Sequence, residues 1–299
     1  MTVLARGAGG SRYRTGLRVL ATPFVLGVFA LVILPAIVTI VFAFTSFDGF
    51  SPARFNGLAT FRRVLADPEL HDSLRASAVF LAIALPLRVG GGLALALLAN
   101  GRGKLAGATR LAVYTPAVIP DPAVALVWLW IVNPLYGPLG AIVRLTGGTP
   151  GPVLLDAWGA RLTIAALSVF ALGEGFLVAL AARREVSPTL YDAARVEGAG
   201  AWAQFRRVTL PMLTPVLALL LARDLLTSMQ TALVPTLLLT RGGPLNATKT
   251  LPTFVYERGF AETQLGEGSA LAVVLFAGGV VLLAGALVVA RRVRNRMPA

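Results

Sequence analysis

Six apolar blocks constrain this chain more than any other feature of its sequence. They cover approximately residues 20–44, 76–99, 111–132, 160–182, 212–239 and 268–290, and each is near the roughly 20 residues that carry a helix across a bilayer core. A soluble helical protein would show polar stripes at a period of 3.6 along its core helices, and most of these blocks show none. With 14% charged residues, 56% hydrophobic residues and a mean hydropathy of +0.76, the chain has too little charge for a soluble surface. The fifth block contains Arg223 and Asp224. It reads as one span because the leucine-rich stretches on either side are too short to cross alone.

Four arginines (Arg6, Arg12, Arg14 and Arg18) precede the first block, as they would in a cleavable signal peptide. The apolar stretch Leu20–Phe44 is too long for a signal core and lacks a small-x-small exit, so it is read as a retained first span.

The charges set the orientation. Residues 1–19 carry net +4, the 100–110 loop +3, the 183–211 loop +2 and the tail 291–299 +4. Together these account for the whole formal charge of +13, while the loops at 45–75, 133–159 and 240–267 are neutral. Alternating basic and neutral loops are the pattern of a protein with both ends in the cytosol. The expected fold is therefore an all-α polytopic membrane protein with six transmembrane helices and cytosolic N and C termini. A basic segment 1–19 leads into a transmembrane domain 20–290, and a basic tail 291–299 follows. The positive charge is divided among short loops on one side of the membrane, which argues against nucleic acid as a partner. There are no cysteines and one histidine, His71, so neither disulfides nor a histidine metal cluster can form.

In the 45–75 loop, Phe47, Phe50, Phe55 and Phe61 alternate with polar residues, and a short surface helix is expected around Leu58–Leu65. Residues 133–159 hold Asn133-Pro134, Gly147-Gly148 and Pro150-Gly151-Pro152 and read as a turn-rich external connection. Asp121, between Pro120 and Pro122, marks a break in the third span.

The basic loop Ser187–Pro215 has more internal order. Pro188 suits a helix start, and Leu190, Ala193, Ala194 and Val196 can form a small apolar patch. Gly198 interrupts the helix at low steric cost. A second short helix is expected at Ala201–Val208, with Trp202 and Phe205 on one side, before Leu210-Pro211 opens the fifth span. Such a helix–glycine–helix element could rest on lipid headgroups or dock on a soluble partner; composition does not choose.

This stretch resembles the EAA loop of membrane subunits from ATP-binding-cassette importers. The matching residues are Tyr191, Asp192, Ala193, Ala194, then Glu197, Gly198 and Ala199, then Leu210 and Pro211. Two acidic positions differ from the family's usual pattern: Asp192 replaces glutamate and Glu197 replaces aspartate, each altering the carboxylate's reach by one methylene. A second segment, Leu239-Thr240-Arg241-Gly242-Gly243-Pro244 with Asn246, Thr248, Thr250 and Leu251, resembles an external signature of the carbohydrate-uptake branch. Gly242-Gly243-Pro244 is also a sharp reversal on physical grounds. Tyr256, Phe260, Gly266, Ser269 and Ala270 continue this likeness, as do Gly57–Phe61, Thr115-Pro116 and Val127-Trp128.

The resemblance implies a type I importer permease-like fold with coupling helices at 188–210. It implies a non-catalytic subunit of a sugar importer in a bacterial or archaeal inner membrane. The expected partners are a second related permease, two copies of a cytosolic ATPase, an extracytoplasmic sugar-binding protein and membrane lipid. The chain has no G-x-x-x-x-G-K-[ST] loop, so no cofactor is expected on it, and ATP and Mg belong on the ATPase. Arg88, Glu174, Arg223 and Asp224 lie within spans, where charges are expensive unless paired or wetted. With Thr227, Ser228 and Gln230 they are the candidate substrate pathway. A structural ion pair suits Glu174 and Arg223, and a sugar-facing role suits Arg88 or Asp224. A permease for a polyol or a glycerol-phosphate-like solute, or a stand-alone secondary transporter, are the alternatives.

Overall fold

The computed structural model describes residues 8–101 and 103–295; Arg6, Arg102 and Arg296 of the basic segments lie outside the described residues. Among these, regular structure is helical apart from one isolated antiparallel bridge, Thr45 with Phe55. Among the described residues, four helices are long and apolar enough to cross a membrane: Gly16–Phe42, Pro68–Leu98, Ala201–Thr240 and Leu265–Val288. Two bent pairs raise the number to six if each pair is one span. The chain is thus an all-α, multi-pass membrane protein, and every expected apolar block falls on helix.

The differences lie in where helices start and bend. The second begins at Pro68 rather than at 76, because Asp67 caps it: its carboxylate accepts from the Glu69 N–H at 2.9 Å, with proline in the first turn. The third block is broken, as expected at Asp121, but the bend is sharp: Ala106–Val118 and Asp121–Ile131 meet at 102°. Pro116, Pro120 and Pro122 remove three amide donors within seven residues, and Ile119, preceding a proline, is extended at ψ 131°. Asp121 opens the second half, as its flanking prolines suggest. The fourth block is also bent, by 52°, between Ala157–Ser168 and Gly173–Glu185. A Cβ on Gly173 would lie 3.0 Å from the Ala117 Cβ and 3.1 Å from the Val113 carbonyl, so the absent side chain lets the two bent pairs approach closely.

The fifth block corrects an expectation. No separate Ala201–Val208 helix precedes it; helix runs from Ala201 to Thr240. Pro211 should clash with the turn before it, but that turn is widened into a π-helix at Phe205–Thr209, which relieves the clash without ending the helix. The 133–159 connection also holds more structure than its turn residues imply, since Pro138–Leu145 is helical. The expected surface helix near residue 60 forms at Ala59–Ala66.

The chain divides into two compact units, residues 1–64 with 258–273 and residues 65–257 with 274–299. In the first, the buried Thr60 hydroxyl donates to the Thr45 carbonyl at 3.0 Å, and the Gly266 N–H donates to the Phe47 carbonyl at 2.8 Å. Arg63 pairs with Glu267 at 3.1 Å. In the second, Pro68–Leu98 is the central helix and packs against Ala157–Ser168, Gly173–Glu185 and Leu210–Thr231. Its small residues permit this: Ala96 and Ala99 are fully buried with Phe176, Ala179, Leu180 and Leu220, and the position a Gly92 Cβ would take lies 3.4 Å from the Phe176 amide nitrogen. Small faces of this kind replace hydrophobic exclusion as the basis of helix packing in lipid.

Candidate functional site

Three groups of residues singled out by the sequence occupy defined places. The first is the loop between the fourth and fifth blocks. Helix Pro188–Val196 is capped by Ser187, whose hydroxyl accepts from the Thr189 N–H at 3.3 Å. It ends at Gly198, which has φ +78°. The Gly198 N–H donates to the Arg195 carbonyl and the Ala199 N–H to the Ala194 carbonyl, both at 2.9 Å. Two such reversed bonds close a helix in the manner that favours glycine at this position. Val196 and Trp202 are left 89% and 71% exposed, and the Trp202 ring stacks on Phe205 with centroids 5.4 Å apart. Asp192, Ala193, Glu197 and Gly198 are exposed, Ala194 and Ala199 half-buried, and Asp192 pairs with Arg195 at 3.2 Å.

Tyr191 differs from its neighbours by turning inward. It is buried, its hydroxyl lies 2.9 Å from the Thr209 hydroxyl, and the Arg183 guanidinium sits over its ring at 4.3 Å. Neither Arg183 nor Thr209 stands out in the sequence.

The second group is the chain of charges within the spans. The Arg88 guanidinium donates to the Ser228 hydroxyl at 3.1 Å and to the Asp224 carboxylate at 3.4 Å. Arg223 pairs with the same Asp224 at 3.3 Å and also with Glu174. The ion pair expected of Glu174 and Arg223 is present, with side chains 58% and 38% exposed, whereas Arg88 and Asp224, expected to face solute, pair with each other and are only 3% and 4% exposed. Two guanidinium groups thus meet two carboxylates, and both long-range pairs join helices: Glu174–Arg223 ties Gly173–Glu185 to Leu210–Thr231, and the buried Arg88–Asp224 pair ties Pro68–Leu98 to Leu210–Thr231. Thr227 donates back to the Arg223 carbonyl at 3.1 Å, within its own helix, and Gln230 is exposed and apart from the charge chain.

The third group is the turn after the fifth block. Arg241 and Gly242 adopt φ +49° and +85°, and Leu245 and Asn246 φ +47° and +59°; the Gly243-Pro244 peptide is cis. The reversal is closed by Thr248: its N–H donates to the Gly242 carbonyl at 3.1 Å, its hydroxyl to the Gly243 carbonyl at 2.7 Å, and that hydroxyl also lies 2.7 Å from the Thr240 hydroxyl. Sequence reasoning missed Lys249. It is buried, and its ammonium lies 2.8 Å from Glu69 and 2.7 Å from Glu257. Burial alone would lower its pKa, but the hydrogen bonds it donates to Glu257 and Glu69 prevail and raise it above the usual lysine value. The Leu251 N–H donates to the Ser77 hydroxyl at 2.8 Å, and Arg161 donates to the Ala247 carbonyl at 3.0 Å. The turn is thereby fastened to the second and fourth blocks.

Among the described residues, no group of three or more His, Cys, Asp or Glu side chains could hold a metal ion.

Residues 71–295 match the family described as binding-protein-dependent transport system inner membrane component. A sulfoquinovosyl glycerol transport system permease protein, SmoG, of Agrobacterium fabrum is 30% identical, with 78% of each chain covered. An sn-glycerol-3-phosphate transport system permease protein, UgpA, of Brucella abortus is 31% identical, with 84% of this chain and 86% of that one covered. A subunit in the crystal structure of a bacterial alginate ABC transporter, in complex with alginate pentasaccharide-bound periplasmic protein, shares the fold with a TM-score of 0.82. It covers 97% of this chain and 99% of its own at 20% identity. The chain therefore belongs to the binding-protein-dependent inner-membrane components, the multi-pass permease subunits of ABC importers.

Proposed function

We propose that this chain forms half of the membrane pathway of a sugar importer, most simply for a mono- or oligosaccharide, and is driven by a separate ATPase pair that docks on residues 188–210. In this reading each bent pair is one span, the spans number six, and both termini are cytosolic, as the distribution of basic residues requires. A second, related permease completes the pathway. A binding protein delivers solute at the outer segments 45–75 and 240–265. Residues 1–19 and 291–299 are cytosolic flanks of the transmembrane domain 20–290. ATP and Mg act on the ATPase.

One observation carries the docking role. Residues 188–210 present Val196, 89% exposed, at the end of a helix closed by Ser187 and Gly198, and Trp202, 71% exposed, on the helix that follows. Large apolar side chains on a short, preorganised helix suit a groove in a folded partner, which does not then have to order them.

A glycerol-phosphate-like solute is a second reading, favoured by the relatives described as glycerol-3-phosphate permeases. Against it, both guanidinium groups of the embedded cluster are matched by carboxylates, so this cluster has no uncompensated cation for a phosphate. Calorimetry on the cognate binding protein with a sugar panel and with glycerol 3-phosphate tests the choice. Micromolar binding of a neutral sugar supports the first reading, and selective binding of glycerol 3-phosphate overturns it.

A further inference from the structure

Tyr191 belongs to the loop assigned to docking, yet nothing about its placement suits a contact with a partner. The ring is 8% exposed. Three elements meet on it: its own helix Pro188–Val196, the end of Gly173–Glu185 through Arg183, and the π-turn below the fifth block through Thr209. The guanidinium-over-ring contact at 4.3 Å is attractive because the π-face is negative. The hydroxyl contact at 2.9 Å to Thr209, itself 3% exposed, is shielded from water and so more costly to leave unmade.

We propose that Tyr191 is the positioning residue that ties the docking loop to the fourth and fifth blocks together, so that a displacement of residues 188–200 moves both as one body. Arg183 and Thr209 are its two anchors. The rest of the connection supports this assignment. Gly198 and Gly200 interrupt the loop's outer end, where the Gln204 amide donates to the Ala199 carbonyl at 2.8 Å and Trp202 stacks on Phe205, all within the loop itself. The Tyr191–Thr209 contact joins the first docking helix directly to the start of the fifth block, 18 residues further along the chain. The π-turn at Phe205–Thr209 places Thr209 at the foot of a helix that runs on to Thr240, so a pull at Thr209 acts on the whole length of that helix. This inference rests on the docking role proposed above for residues 188–210.

The test uses the complete complex, made of the permease pair, ATPase pair and binding protein, reconstituted in lipid vesicles. The readout is the ratio of ATP hydrolysis with and without added binding protein, since that ratio requires a signal to pass from the outer face through the spans to the ATPase. Tyr191→Phe keeps the ring over Arg183 and removes only the hydroxyl, and Thr209→Val removes its partner at nearly constant volume. Each is expected to lower the ratio about fivefold, within the roughly 2- to 10-fold that one hydrogen bond supports. Both should retain wild-type copurification of the ATPase, and the double variant should be no worse than either single one. Wild-type ratios in both single variants, or a double variant equal to the product of the two, would overturn the proposal. Gly198→Trp is measured alongside. If it leaves ATPase copurification and the ratio unchanged, the docking role itself is wrong; if it lowers them while the tyrosine and threonine variants behave as wild type, only the tie is wrong.

Discussion

The guanidinium of Arg88 and the carboxylate of Asp224 lie 3.4 Å apart with side chains 3% and 4% exposed, although 136 residues separate them in the chain. They join Pro68–Leu98 to the fifth block in its middle, where an unpaired charge would face either hydrocarbon or packed helix. Ser228, fully buried, shares the guanidinium at 3.1 Å.

Asp224→Leu should destabilise the folded chain by about 3–5 kcal/mol, because it strands the buried Arg88 guanidinium. Arg88→Met should cost less, since Asp224 keeps Arg223 at 3.3 Å, and the double substitution should recover most of the Asp224→Leu loss. Unfolding in detergent, followed by helical circular dichroism, measures this. A double variant no more stable than Asp224→Leu alone would mean that the two charges serve other partners.

Lys249 gives a prediction in pH. Its pKa is raised in the folded state, so the stability it supplies is complete below its ordinary value of about 10.5 and is lost only as pH rises through the higher folded value. Lys249→Met should lower the unfolding midpoint by roughly 10 °C. Between pH 7 and 9 the gap to wild type should be constant, and it should narrow only above about pH 10.5. A gap that closes already by pH 9 would contradict the two-carboxylate clamp.

Gly198 separates strain from bulk. A Cβ there meets nothing within 4 Å, but φ is +78°. Gly198→Ala should thus cost about 1–2 kcal/mol in the loop through backbone conformation alone and weaken coupling partially. Gly198→Trp adds volume at the docking surface and should abolish it. ATPase copurification distinguishes the two, and equal effects would show that bulk at this position is irrelevant.

Orientation can be read chemically because the chain has no cysteine. A single Gly151→Cys should react with a membrane-impermeant maleimide from outside, and Gly101→Cys only after the membrane is opened. Both glycines are exposed or nearly so. The reverse pattern would overturn the cytosolic placement of the termini.

Hydropathy located every membrane-length helix among the described residues, and Asp121 between Pro120 and Pro122 located one break, because both signals are local. The continuity of helix from Ala201 through Pro211 was not legible, since proline reads as a boundary unless a π-turn absorbs it. Pairings were not legible either. Lys249 in a polar turn looks solvated until Glu69, 180 residues away, is brought beside it. Arg88 and Arg223 look alike in sequence, yet one is buried and the other partly exposed. Tyr191 was found as part of a motif, but its inward direction depends on Thr209 and Arg183, which carry no signature.

The central claim is that transport through this chain is powered by a separate ATPase. Uptake into vesicles should be measured with the sugar retained by the binding protein, with and without the ATPase pair and ATP. The account predicts uptake only when the ATPase, hydrolysable ATP and the binding protein are all present, and none when any one is withheld. Uptake driven by an ion gradient without the ATPase would contradict it.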